Sequence, residues 1–149
     1  MNSFDIYKLV KRDNVLKKYF KGVFSVDNFT PISNGIYIVN TEPSYLKGSH
    51  WVVYYMENEI LEFFDSYGKN GISYGLKSSI TFNTQSLQQN ISSCGYYCLY
   101  YSLLRCRGIS LYRIVRSLVS NGCDIYVVES VLKHFSISNR GLKRSLPRY

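Results

Sequence analysis

The sequence predicts one α+β domain: a mixed, mostly antiparallel sheet packed by helices, with Cys94 at the N-terminus of the central helix. Three observations carry that expectation. The runs Trp51–Met56 and Ile60–Asp65 are rich in β-branched and aromatic residues and are joined by the polar Glu57-Asn58-Glu59, the pattern of an antiparallel hairpin. Cys94, Tyr97, Cys98, Tyr101 and Leu104 recur at helical spacing, after Ser92 or Ser93 as a cap and before Gly108 as a stop. A chain of 149 residues, 46% hydrophobic and 19% charged, is long and apolar enough for a single packed core and excludes intrinsic disorder for its body.

In chain order, residues 5–10 and 14–20 space their apolar positions for two short amphipathic helices, with Asp5 and Asn14 as N-caps and Gly22 closing this section. Gly35–Asn40 reads as a strand. After the hairpin, residues 66–78 hold Gly68, Gly71 and Gly75 and read as a mobile loop, followed by a weak strand over 79–82 and a second loop over 83–93. Beyond the central helix, Leu111–Val119 follows a Ser110 cap and Ile125–Phe135 follows an Asp124 cap, with Asn121-Gly122 between them. Residues 139–149 form a basic tail expected to be loose.

The net charge is +8, and it is unevenly spread. Residues 1–21 carry six Lys/Arg against two acids, residues 22–104 three against six, and residues 105–149 nine against two. Such a balance suits a polyanion such as DNA, because each neutralised phosphate releases counterions. No apolar run reaches the ~18 residues of a membrane span, and the first 20 residues lack the pattern of a signal peptide. An intracellular protein that is neither secreted nor membrane-bound is expected. The four cysteines, Cys94, Cys98, Cys106 and Cys123, are confined to a stretch of 30 residues in the later part of the chain, which favours free thiols over a disulfide framework. Their spacing matches no zinc motif, so no metal site is expected.

Chemistry enters through the hairpin. With its turn centred between Glu57 and Asn58, His50 lies opposite Asp65, close enough for the carboxylate to fix the imidazole tautomer and stabilise the imidazolium. Cys94, in the first helical turn, sits where unpaired backbone N–H groups and the macrodipole favour a thiolate, and Gly95 beside it lets a substrate backbone approach closely. Immediately upstream, Gln88-Gln89-Asn90 offers side-chain amides that could reach over the helix N-terminus and, with the Cys94 N–H, donate to an oxyanion. Cys98, Cys106 and Cys123 read as small buried hydrophobes.

The order His, acid, Gln, Cys resembles that of the adenovirus proteinase (adenain) family of cysteine proteases, within the wider superfamily of ubiquitin-like-protein proteases. His50-Trp51, Asp65-Ser66 and Gln88-x-Asn90-x-x-x-Cys94-Gly95 carry the resemblance, supported by Tyr19-Phe20-x-Gly22, Ile38-Val39-Asn40-Thr41 and residues 84–88. It covers about residues 5–107, and the proteases of Polinton/Maverick and other adenovirus-related elements are similar in kind. The resemblance implies a papain-like fold and a viral thiol protease whose catalytic residues are His50, Asp65, Gln88 and Cys94, with Gln88 rather than Gln89 as the oxyanion donor and with Trp51 and Gly95 lining the substrate groove. It implies capsid precursor proteins cut at small, Gly-containing sites during virion maturation, in the virion and the host nucleus or cytoplasm, by a monomer that needs no cofactor for its chemistry and uses DNA as a non-specific partner or activator. Asp65 stands where adenain has Glu, and no cysteine precedes Cys94 to tether an activating peptide. Two other readings are a deconjugating protease for ubiquitin-like proteins and a catalytically silent nucleic-acid-binding module whose bases stack on Tyr54, Tyr55 or Tyr67.

Overall fold

The computed structural model describes residues 1–135; the basic tail expected over 139–149 lies outside them. The chain is α+β, with five strands in the order β1-β2-β3-β4-β5. These are β1 (Phe20–Ser25), β2 (Gly35–Asn40), β3 (Trp51–Glu57), β4 (Ile60–Phe64) and β5 (Thr81–Phe82). The central pairs β2–β3 and β3–β4 are antiparallel, whereas β1 runs parallel to β2 and β5 parallel to β4. The expected hairpin is present, but its turn is Asn58-Glu59, with positive φ at both residues (51° and 65°). That is the backbone of a two-residue hairpin loop whose twist matches the strands. Val53 consequently pairs with Phe64 and Glu57 with Ile60, two residues out of the expected register. An even shift preserves facing, so His50 and Asp65 still point to the same side.

Strand β1 went unforeseen because it runs through Gly22, where the pairing with β2 is irregular, and only Gly22 in it is buried. Such an edge strand carries no clean period-two signal. By contrast β2 is buried at every position, since both faces of the sheet are covered. Ile36, Ile38, Val53, Tyr55 and Phe64 face the helices. Tyr37, Val39, Val52, Tyr54 and Phe63 face the opposite way, under Phe29, Leu76 and neighbouring side chains.

The helices are α1 (Ser3–Val10), α2 (Leu16–Tyr19), α3 (Cys94–Arg105), α4 (Leu111–Asn121) and α5 (Asp124–His134), with a 3₁₀ turn at Gly71–Tyr74. Helix α3 was expected to bury one face, yet every residue from Cys94 to Leu103 is buried, because the helix is wedged between β3 and the pair α4 and α5. Helix α4 keeps the expected amphipathic stripe Leu111, Ile114, Val115 and Leu118, and Ser110 caps it through the Arg113 N–H.

Three cap expectations are corrected. Asn2, not Asp5, is the N-cap of α1, and Asp5 closes a capping box from the third helical position. Asp13, not Asn14, takes the free N–H groups of Val15 (3.0 Å) and Leu16 (2.7 Å) at the start of α2. The N-cap position of α5 is Cys123, and the Asp124 carboxylate is used elsewhere. Asp13 also pairs with Arg107 (2.7 Å) and His134 (2.6 Å), joining α2 to the ends of α3 and α5. Burial raises its pKa, but the Leu16 N–H, Arg107 and His134 outweigh that and hold it at about 2.

Candidate active site

His50 immediately precedes β3, and its carbonyl accepts the Thr41 N–H (2.9 Å), which fixes its backbone. Its Nε2 lies 2.7 Å from Asp65 Oδ1. The remaining ring nitrogen, Nδ1, is not engaged by Asp65, and Cys94 is, after Asp65, the next side chain that raises the pKa of the imidazole. The ring packs against Tyr67 (centroids 4.6 Å apart) and Tyr74 (5.7 Å).

Asp65 follows β4 and is fully buried. Its carboxylate accepts from the Tyr67 N–H (3.0 Å), the Lys69 N–H (3.1 Å) and the Tyr74 hydroxyl (2.6 Å) as well as facing His50. Asn83 brackets its backbone, accepting the Asp65 N–H at 3.0 Å and donating to the Asp65 carbonyl at 2.6 Å. The glycine-rich loop after β4 is therefore wrapped around this one carboxylate. Gly68 makes the wrap possible: it has φ 74°, and a methyl group there would come within 2.6 Å of the Gln85 backbone. Burial pushes the Asp65 pKa up, but His50, Tyr74 and the Tyr67 N–H outweigh it and leave the group below its usual value.

Cys94 opens α3, where its own N–H has no carbonyl one turn back. Burial raises the thiol pKa; the His50 side chain and the backbone N–H groups of Trp51 and Gly95 reverse this and bring it below the ordinary thiol value. His50 moves the opposite way, to about 9: burial lowers it, and the hydrogen bonds to Asp65 and Cys94 overcome that. The two shifts favour a thiolate–imidazolium pair. Cys98, Cys106 and Cys123 are all raised, with burial the largest cause, so the four thiols divide one against three. All four are free.

Gln88 is buried, and its side chain is fixed at both ends. The Ser66 hydroxyl donates to Oε1 at 2.5 Å, and Nε2 donates to the Asn90 carbonyl at 2.6 Å, which leaves the second N–H of the amide free of these partners. Gln89 is exposed, and only its backbone N–H is engaged, by Asp124. The Asp124 carboxylate also accepts from the Asn90 N–H (2.7 Å) and the Tyr97 hydroxyl (2.6 Å). It thus anchors the Gln88 loop to α3 and α5.

Tyr74 and Asn83 are supporting residues that the sequence reading did not pick out, and Ser66 and Asp124 were read there only as a motif neighbour and a helix cap. An acid at a helix start is read as that helix's own cap, and nothing local distinguishes a carboxylate that accepts from a loop 34 residues away. The two residues expected to line a substrate groove, Trp51 and Gly95, both touch Met1. The Trp51 indole donates to the Met1 carbonyl at 3.2 Å, and the Met1 side chain lies over Gly95.

Glu62, the other acid on β4, is occupied by the Tyr101 hydroxyl and by Arg105, whose guanidinium stacks 4.6 Å from the Tyr55 ring centre. Among the described residues there is no cluster of three or more His, Cys, Asp or Glu that could hold a metal ion. No described helix is long and apolar enough to cross a membrane. No family model matches the chain, and neither does any curated protein.

Proposed function

We propose that the chain is a cysteine endopeptidase acting through Cys94, His50, Asp65 and Gln88. The observation that carries this reading is an imidazole held on Nε2 by a buried carboxylate, together with the one thiol of the four, Cys94, whose pKa is lowered, in part by that imidazole. Nucleophile, base and orienting acid in that relation are the recurrent arrangement of acyl transfer.

The Cys94 thiolate attacks the peptide carbonyl carbon, and the carbonyl electron pair moves to oxygen. The Cys94 N–H and the free N–H of Gln88 donate to that oxyanion. On collapse the C–N bond breaks, and the His50 imidazolium gives its proton to the leaving amine. Water, deprotonated by the now neutral His50, attacks the thioester; the acid product leaves and the thiolate is restored. Asp65 stays ionised throughout and holds Nε2.

The substrates that fit the resemblance are capsid precursor proteins of a virus or mobile element, cut next to small residues. Digestion of a peptide library by the purified protein, with and without prior iodoacetamide, tests the activity. Cleavage that disappears with Cys94 labelling supports it, and an inert protein contradicts it. The oxyanion assignment has its own check in steady-state kinetics: Gln88→Ala should lower kcat by about 10²–10³, the usual effect of losing one such donor. Gln89→Ala should be mild, because its side chain is turned to solvent.

A DNA partner is a second element of the proposal. Lys8, Lys11, Lys17, Lys18 and Lys21, with Arg113 and Arg116 on α4, are exposed. Arg105 and Arg107 contribute less than their charge suggests, being paired with Glu62 and Asp13. Affinity for random duplexes should fall steeply with salt. Absence of binding at low salt would remove DNA from the proposal.

A further inference from the structure

Met1 lies on both residues that flank the reacting pair. Trp51 follows His50 in the chain, and its indole N–H donates to the Met1 carbonyl at 3.2 Å. Gly95 follows Cys94, and a methyl group added to it would meet the Met1 sulfur at 2.9 Å, its Cβ at 3.1 Å and its Cγ at 3.3 Å. The thioether therefore fills the space that the missing Gly95 side chain leaves open. By chain geometry it is no more than about 8 Å from the Cys94 Cα.

This contact is built in. Asn2 caps α1 through the reciprocal bonds with Asp5 (2.9 and 3.0 Å), which fixes the backbone next to Met1. The side chain packs, partly buried, against the main core cluster together with Trp51. A carbonyl presented to Cys94 Sγ must bring its neighbouring residues past this pair. A flexible, apolar thioether seated on the backbone at Gly95 leaves room there for a residue with little or no side chain.

Resting on the endopeptidase reading above, we propose that Met1 is a specificity-determining residue of the Cys94 site, forming with Trp51 a wall that restricts the residue beside the scissile bond to a small one. Its side chain acts by excluded volume, so its size sets the selectivity while the chemistry at Cys94 is left as it was. Discrimination by one methylene in such a site amounts to roughly 10–200-fold in kcat/KM.

The test uses the full chain with position 1 set by release from a removable N-terminal fusion, as Met1, Met1→Gly, Met1→Leu and Met1→Phe. Fluorogenic peptides differing only in the residue on either side of the scissile bond, from Gly through Ala and Val to Leu, give kcat/KM ratios. Met1→Gly should shift the Gly-to-Leu preference at least about tenfold toward the larger residue. Met1→Leu should retain the parent ratio, and Met1→Phe should sharpen it. If Met1→Gly does not fold, the sharpened ratio of the Phe protein beside the unchanged ratio of the Leu protein still decides. Unchanged ratios in folded variants would overturn the wall, and so would an equal rise in kcat/KM for every peptide, which would mark Met1 as a plug. Failure of the parent protein to cleave any peptide, with no selective labelling of Cys94, would overturn the endopeptidase reading and this inference with it.

Discussion

Cys94→Ala is expected to abolish peptide hydrolysis while leaving the protein folded. The substitution removes one sulfur at the mouth of α3, and the core of that helix, Tyr97, Cys98, Leu99 and Tyr101, is untouched. No other thiol can take over. Cys98 is fully enclosed and its pKa is driven well up by burial, and Cys106 and Cys123 are raised for the same reason. Serine at those three positions should lower the melting temperature with little effect on kcat, since each of them fills core space. A coupled measurement of activity and thermal unfolding separates the two kinds of effect. Retained hydrolysis in folded Cys94→Ala protein would rule out the nucleophile.

Asp65→Asn should leave the fold near intact and lower kcat by up to about 10⁴, the loss seen when the orienting carboxylate of the trypsin-type triad becomes an amide. The physical reason is donor–acceptor matching. Asp65 accepts from His50, two backbone N–H groups and the Tyr74 hydroxyl, and a carboxylate has lone pairs for all four. An amide puts an NH₂ group against one of those donors and no longer stabilises the imidazolium, so the His50 pKa should fall from about 9 toward its ordinary value. Glu62 cannot substitute, because Tyr101 and Arg105 hold it at another part of the sheet. A pH–rate profile of Asp65→Asn reads the change directly; a profile identical to the parent's would mean that another group orients His50.

The candidate site was more legible in the sequence than the frame around it. His50, Asp65 and Cys94 stood out by local signals, a strand end, a turn after the next strand and a helix start, whereas the polar loop left Gln88 and Gln89 open and only the resemblance singled out Gln88. The hairpin register was misjudged by two residues, yet the pairing of His50 with Asp65 survived, because facing depends on parity and not on the exact partner. What stayed hidden was long-range. Asp13 reaches His134, Asp124 reaches the Gln88 loop, and Met1 reaches Trp51. Each is a polar or terminal residue whose partner lies 34 to 121 positions away, where periodicity and capping rules give no signal. Strand β1 was missed for the opposite reason, since its local pattern is broken by Gly22 and its pairing supplies the order.

The charge state of the reacting pair also sets a pH window. The folded-state pKa of His50, about 9, lies above its ordinary value of 6.5. The stability that His50 contributes is therefore complete below about pH 6.5 and is lost as the pH rises through about 9. Hydrolysis should fall over that upper limb, where the imidazolium needed to protonate the leaving amine disappears, and should fall in acid as the thiolate is protonated.

That His50 lowers the pKa of the Cys94 thiol is tested most directly by the rate of iodoacetamide labelling of Cys94 as a function of pH, followed by mass spectrometry in the parent and in His50→Ala. Labelling in the parent should rise at a lower pH than the ordinary thiol range, about 8.5, and in His50→Ala its rise should move up by at least the part that His50 contributes. A parent profile that rises through that same ordinary range, or one that His50→Ala leaves unchanged, would contradict the claim.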